Sequence, residues 1–363
     1  MFSTIAPHLK NSFIALILLA INTFGGYSQN YKSIGFETQY GSVIANTRKN
    51  QQIVGTAPIT FQLRFGETFQ DSAFKALYKI ELKRGFLLHF TNYNLPILGN
   101  VTGLSYFMQP VLYNKNKLKL SFRAVAGIAY ASNPYSENNP RNFTYTNYLN
   151  NYTSVGIQSM IDCTDNISLS TIIQLNHISN GGFDKPNIGI NWLTAGLGVE
   201  YKLRQSKEPS WQPSSTSKVF TKHYEVALFY SYPKIDSTVN KSYHVSGISA
   251  QIIKRGLLHG WTGGFEFTYD NLYSARVFYK KGLTVPPLLF ATHFGHEFLF
   301  GNFIFSQQIG IYMVRNYNIY KAPWYHRMGI VCNVNKHLGL GISIKAHLET
   351  ANFLDARIVW RIK

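Results

Sequence analysis

Strand-like alternation runs almost from end to end of this chain, and no apolar run is long enough to cross a membrane as a helix. A helical span needs about 20 consecutive apolar residues. The best candidate, FIALILLAI at 13–21, falls well short. What recurs instead is a segment of about ten residues, bounded by Asn, Gly, Lys and Pro clusters, which is the pattern of a transmembrane β-barrel. Charged residues make up only 14% and aromatics 15%, whereas about a quarter of a soluble domain is charged. Alternating lipid-facing and lumen-facing positions produce this intermediate composition.

In the first half, candidate strands fall at 33–45, 56–66, 73–82, 86–93, 101–113, 118–130, 152–163, 167–179 and 188–203. Even strand numbers are the rule for such barrels, so two of these segments are expected to form one bent strand, giving eight. Residues 204–222 (RQSKEPSWQPSSTSKVFTK) break the pattern and read as a linker. The second half then echoes the first: 287–315 resembles 98–130, and 336–349 resembles 166–179 with one residue of slack. The repeat period is roughly 160 residues, too long for a solenoid. The fold class is therefore all-β, an outer-membrane antiparallel β-barrel built as two tandem eight-stranded repeats; the alternative is one larger barrel of about sixteen strands. The linker favours two. The expected boundaries are a signal peptide at 1–28, a first barrel at 29–204, a linker at 205–222 and a second barrel repeat at 223–363.

The signal peptide is read from Lys10, the short apolar core, and the small residues Gly25, Gly26 and Ser28, with cleavage before Gln29. The formal charge of +18 is scattered and forms no basic helix. Together with export, this points away from nucleic acid and towards an anionic membrane surface. Cys163 and Cys332 show no metal-ligand spacing, and nothing demands a disulfide between them. His326 and His337 lack a paired metal spacing, and Gly263, Gly264, Gly339 and Gly341 are strand glycines outside any nucleotide-binding motif, so neither metal nor cofactor is expected.

The segment 167–179 carries the chemistry. Side chains alternate across a strand. Ile167, Leu169, Thr171, Ile173, Leu175, His177 and Ser179 share one face; Ser168, Ser170, Ile172, Gln174, Asn176 and Ile178 share the other. The apolar face meets lipid in a barrel, which puts His177 and Ser179 on the outer wall at the end of the lipid-facing stripe. Histidine two residues from serine on one face can act as its general base. The hairpin that follows (NGGFDKPNIGI) offers glycine amides and Asn180 and Asn187 as oxyanion donors. Asn191, on the return strand, points outward and reaches towards His177.

The run His177-Ile178-Ser179-Asn180-Gly181-Gly182, then Pro186-Asn187, then Gly189-Ile190, resembles the signature of the PagL lipid A 3-O-deacylase family. It also resembles a longer Bacteroidetes branch of acyloxyacyl hydrolases. The resemblance is best over 98–203 and extends to the second half as a degenerate copy. It implies an eight-stranded outer-membrane barrel that hydrolyses an ester-linked acyl chain of lipid A, with lipopolysaccharide in the outer leaflet as substrate. It implies Ser179 as nucleophile and His177 as base. Asn180, Gly181, Gly182 and Asn187 would support the oxyanion region. The family's third catalytic member is a glutamate, and the matching position holds Asn191. Three readings follow. Asn191 completes an amide-containing triad, as in Cys–His–Asn proteases; Asp184 supplies the missing carboxylate; or lipid binding persists without catalysis. In the second repeat, His347 falls on the small and polar face and Glu349 stands where a serine is needed, so that repeat is expected to be non-catalytic.

Overall fold

The computed structural model describes residues 32–44, 53–69, 81–203, 220–235, 239, 241–256, 259–300, 302–320, 322–348 and 350–362. The expected signal peptide, most of the expected linker and Glu349 lie outside them.

Residues 32–203 form a closed antiparallel barrel of eight strands: β1 (Lys32–Ile44), β2 (Ile59–Phe69), β3 (Leu82–Asn92), β4 (Asn100–Lys115), β5 (Leu118–Ala131), β6 (Leu149–Asp162), β7 (Ile167–Ser179) and β8 (Ile190–Lys202). Each strand pairs with its sequence neighbours. The ring closes between β1 and β8, from Ser33↔Lys202 to Ile44↔Asn191. The count of eight is reached differently from the sequence expectation. β2 pairs directly with β3 from Ile59↔Asn92 to Phe69↔Leu82, so no strand at 73–82 sits between them. Most of that segment lies outside the described residues; 86–93 belongs to β3.

The second barrel consists of β9 (Thr221–Ser231), β10 (Val245–Arg255), β11 (His259–Asp270), β12 (Leu288–Phe300), β13 (Phe303–Val314), β14 (Trp324–Asn333), β15 (Leu338–His347) and β16 (Thr350–Ile362). It closes between β9 and β16, from Ala356↔Tyr230 to Ile362↔Tyr224. Two separate closures exclude a single sixteen-stranded ring. Thr221 and Lys222, placed in the linker by composition, already belong to β9.

Alternation explains both walls. Along β7, Ile167, Leu169, Ile173 and Leu175 are exposed while Ser168, Ser170, Gln174 and Asn176 are buried inside. The first lumen is filled with charge. Arg123 forks onto Glu37 at 2.7 and 2.8 Å, Arg64 meets Glu37 at 2.8 Å, and Lys83 pairs with Glu200. The second lumen repeats the device with Glu266 between Arg327 (2.9 Å) and Lys345 (2.8 Å), and Asp355 on Arg357 (2.8 Å). Eight strands leave only enough interior for side chains, and the charges inside are paired, as buried charges must be.

The two rims differ. One end carries tight turns such as the two-residue turn Asn116–Lys117, both at positive φ (50° and 68°), as a tight hairpin requires. At the other end lie the loops 132–148, 180–189, 232–244 and 271–287. The last contains α1 (Asn271–Lys281), the one α-helix among the described residues. Asp270 caps it by accepting the Tyr273 N–H at 2.8 Å, and Gly282 ends it in the left-handed region. No described helix is long and apolar enough to cross a membrane. Cys163 and Cys332 are both free thiols.

Candidate active site

The site forms where β7 meets the long-loop rim. Pairing of β7 with β8 sets His177 directly opposite Asn191 and Ile178 opposite Ile190. Ile178 and Ile190 turn inward and are fully buried in an apolar cluster with Tyr93, Tyr152 and Trp192. The strand period then forces His177, Ser179 and Asn191 onto the outer wall. This inward anchor fixes the register, since a slip of one residue would turn the polar trio into the core.

The three side chains make one relay. The imidazole Nδ1 lies 2.6 Å from the Asn191 Oδ1, and Nε2 lies 3.0 Å from the Ser179 Oγ. An amide oxygen can only accept, so Nδ1 carries the ring proton and Nε2 presents its lone pair to the serine hydroxyl. That is the tautomer a general base needs. The loop backbone at Gly189 passes close to the ring. Gly189 sits at φ +73°, and a Cβ there would stand 2.8 Å from the His177 Cε1 and 3.4 Å from the Ser179 Cβ. Only glycine admits both the conformation and the approach.

The loop 180–189 is tied mainly by its own polar groups. The Asn180 N–H donates to the Asn187 Oδ1 at 3.0 Å. The Asn180 side chain accepts from the Gly182 N–H at 2.9 Å and donates to the Asp184 carbonyl at 3.0 Å. Ile188 and Gly189 donate their N–H groups to Phe143 and Thr144 (3.0 and 2.8 Å), and Thr146 donates its hydroxyl to the Pro186 carbonyl. Asn180 and Gly182 therefore use their donors inside the loop. The Gly181 N–H and the Asn187 side-chain amide have no acceptor among the described residues. Asp184 does not approach the histidine. Its carboxylate accepts from the Lys185 N–H at 2.8 Å and pairs with Lys234 of the second barrel at 2.8 Å. Of the alternatives the sequence left open, the one in which Asp184 supplies a carboxylate to the histidine is not met: the ring nitrogen it would need is taken by Asn191.

Among the described residues the second barrel assembles no such trio. His347 is inward, stacked on Tyr320 at 3.6 Å, with its Nε2 3.1 Å from the Tyr312 hydroxyl. Two features had no signal in the sequence pattern: the contact of Gly189 with the imidazole and the tie between Asp184 and Lys234. Both join residues through loop conformation rather than strand period.

Comparison with known proteins agrees with the two-part organisation. Residues 23–200 match the model of the family described as lipid A 3-O-deacylase (PagL), and residues 222–363 match that of the acyloxyacyl hydrolase C-terminal domain. No curated protein matches the chain. Among solved structures it is similar to the outer membrane enzyme PagL, at 16% identity and a TM-score of 0.33, over 45% of this chain and 97% of that one. It is also similar to a mutant porin of Rh. blastica (10% identity, TM-score 0.20, 92% of this chain and 99% of that one). A third similarity is to OccK5 of Pseudomonas aeruginosa (8% identity, TM-score 0.23, 92% and 97%). The two family matches follow one another along nearly the whole sequence, and the chain belongs to the PagL-like family of lipid A deacylases.

Proposed function

We infer that this protein is an outer-membrane esterase that removes an ester-linked acyl chain from lipid A, with Ser179 as nucleophile, His177 as base and Asn191 orienting the base. The observation that carries this reading is the unbroken relay from Asn191 through His177 to Ser179 on the outer wall. A serine at the end of an exposed apolar stripe suits a lipid already resident in the leaflet better than a water-soluble substrate. The exposed apolar wall that runs from the site along β7 and β8 (Leu175, Leu193, Ile173 and Leu197) fits a membrane-spanning barrel. The N-terminal segment fits a signal for export.

In this reading the chemistry is acyl transfer through Ser179. His177 Nε2 takes the hydroxyl proton as Ser179 Oγ bonds to the ester carbonyl carbon. The carbonyl oxygen becomes an oxyanion, for which this reading assigns the Gly181 N–H and the Asn187 amide as donors, while Asn180 and Gly182 hold that loop in shape. Collapse breaks the bond to the alkoxy oxygen of the ester, which leaves with the proton from Nε2. Water then attacks the acyl-enzyme, gives its proton to Nε2, and the fatty acid departs as Ser179 regains its hydrogen. Asn191 holds the correct tautomer. Loss of the triad acid costs about 10⁴-fold when the wrong tautomer results; here the amide oxygen prevents that fault but adds no charge to stabilise the imidazolium.

Lipid A from cells carrying wild-type or Ser179→Ala protein, compared by mass spectrometry, tests this. Loss of one acyl chain only with the wild type is expected. An intact acyl pattern in both, with folded protein in the membrane, contradicts it. Because Asn191 is uncharged, a second reading is a lipid-binding barrel without catalysis, and the same experiment separates the two.

A further inference from the structure

The second barrel touches the first at the loop that would carry the oxyanion donors. The Lys234 N–H donates to the Phe183 carbonyl at 3.1 Å, and its ammonium pairs with Asp184 at 2.8 Å. On the same stretch, Gly181 and Gly182 (φ +69° and +89°) lie against the start of β16. A Cβ on Gly181 would stand 3.0 Å from the Leu354 Cβ, and one on Gly182 would stand 3.4 Å from the Asn352 carbonyl oxygen.

The bracing surface is itself built to stay in place. Ile235, next to Lys234, is buried with Val245, Leu272 and Phe353, which ties together the β9–β10 loop, β10, α1 and β16. Asn352 accepts from Arg276 of α1 and donates to the Tyr320 hydroxyl, both at 3.0 Å. Ser231 donates to the Leu354 carbonyl at 2.6 Å. The connection between β15 and β16 is only two residues, 348–349, where the first barrel has ten, 180–189. The short connection leaves the top of β16 clear to receive the first barrel's loop.

We propose that the second barrel is a positioning device for the Ser179 site, with Lys234 and the 351–354 segment holding Gly181–Asp184 in the conformation that presents the Gly181 N–H to the reacting carbonyl. This rests on the esterase reading above. Lys234 touches no reacting atom; it acts through the loop. Misplacing a donor by about 1 Å can cost 10²-fold in rate, and the effect falls on the transition state rather than on lipid binding.

The test uses the full chain in detergent micelles with lipid A, as wild type, Lys234→Glu, Asp184→Lys, the double exchange, and Ser179→Ala. Acyl release and amide hydrogen exchange over 180–184 are measured for each. Lys234→Glu is expected to lower kcat about ten-fold with KM nearly unchanged, and to speed exchange in the loop. The double exchange restores both readouts to within about two-fold, because it rebuilds the ion pair. Wild-type kcat and wild-type exchange in Lys234→Glu overturn the proposal, as does a double exchange no better than the single variants. If the wild type shows no Ser179-dependent release, the esterase reading fails. Exchange alone then decides whether the second barrel braces the loop, and unchanged protection in Lys234→Glu refutes it.

Discussion

The hairpins β7–β8 and β15–β16 occupy equivalent places in the two barrels and end in opposite ways. In the first, the strand carries His177 outward, and a ten-residue loop follows. In the second, His347 points inward, and the strands are joined by two residues. The two outward stripes explain this. Ile167 to Leu175 face out on odd positions of β7; Leu338 to Ile344 face out on even positions of β15. His347 therefore continues the lumen row of Ser343 and Lys345, where β7 has Gln174 and Asn176. A displacement of one residue is enough to send a side chain through the wall. Sequence similarity between repeats thus does not carry function unless the strand phase is kept.

The sharpest way to break this comparison is to delete the serine. Ser179→Ala should reduce acyl release by about 10³-fold or more, since removing one member of a serine–histidine pair removes nearly all their joint effect. Residual hydrolysis within ten-fold of wild type, read as fatty acid released per minute, would assign the chemistry elsewhere.

Asn191 comes next. Asn191→Leu removes the acceptor that sets the histidine tautomer and should cost about 10²-fold in kcat. Asn191→Asp keeps the length and adds a charge facing the imidazolium; an increase of about ten-fold in kcat is expected, equivalent to about 1.4 kcal/mol of transition-state stabilisation. A lower kcat in Asn191→Asp, with folding intact, would show that the site is built around a neutral partner.

Gly189→Ala probes the loop's contact with the ring. The added methyl requires the imidazole or the backbone to move, and a fall in kcat of about ten-fold is expected. The smallest effect belongs to the far rim of the second barrel. His337→Ala, in the β14–β15 turn at the end opposite the bracing segment, should leave acyl release within about two-fold of wild type, because it shares no partner with the site; a large loss would mean that the far rim takes part in the reaction.

Much of this was legible in the residue pattern, for a physical reason. A barrel wall has a strict period of two, so the outward placement of His177 and Ser179 follows from Leu169, Ile173 and Leu175 before them. The hairpin register then sets Asn191 across from His177. The parts that were not legible depend on loops. The pairing of Asp184 with Lys234 joins two separately closed barrels and leaves no periodic trace. The helix Asn271–Lys281 is a single short element inside a rim loop, capped by Asp270 and Gly282, and is hidden among strand-like aromatics. The extra strand expected at 73–82 arose because alternation alone cannot mark where one strand ends and a connection begins; the direct β2–β3 ladder leaves it no place.

The central claim is that the hydroxyl of Ser179, activated by His177, is the nucleophile that meets lipid at the outer wall. A phosphonate ester bearing a long alkyl chain and a good leaving group, incubated with the folded protein in micelles, tests it by intact-mass and peptide analysis. The account predicts one adduct per chain, located on Ser179 and strongly reduced in His177→Ala. No adduct, or one that persists undiminished in Ser179→Ala, would contradict it.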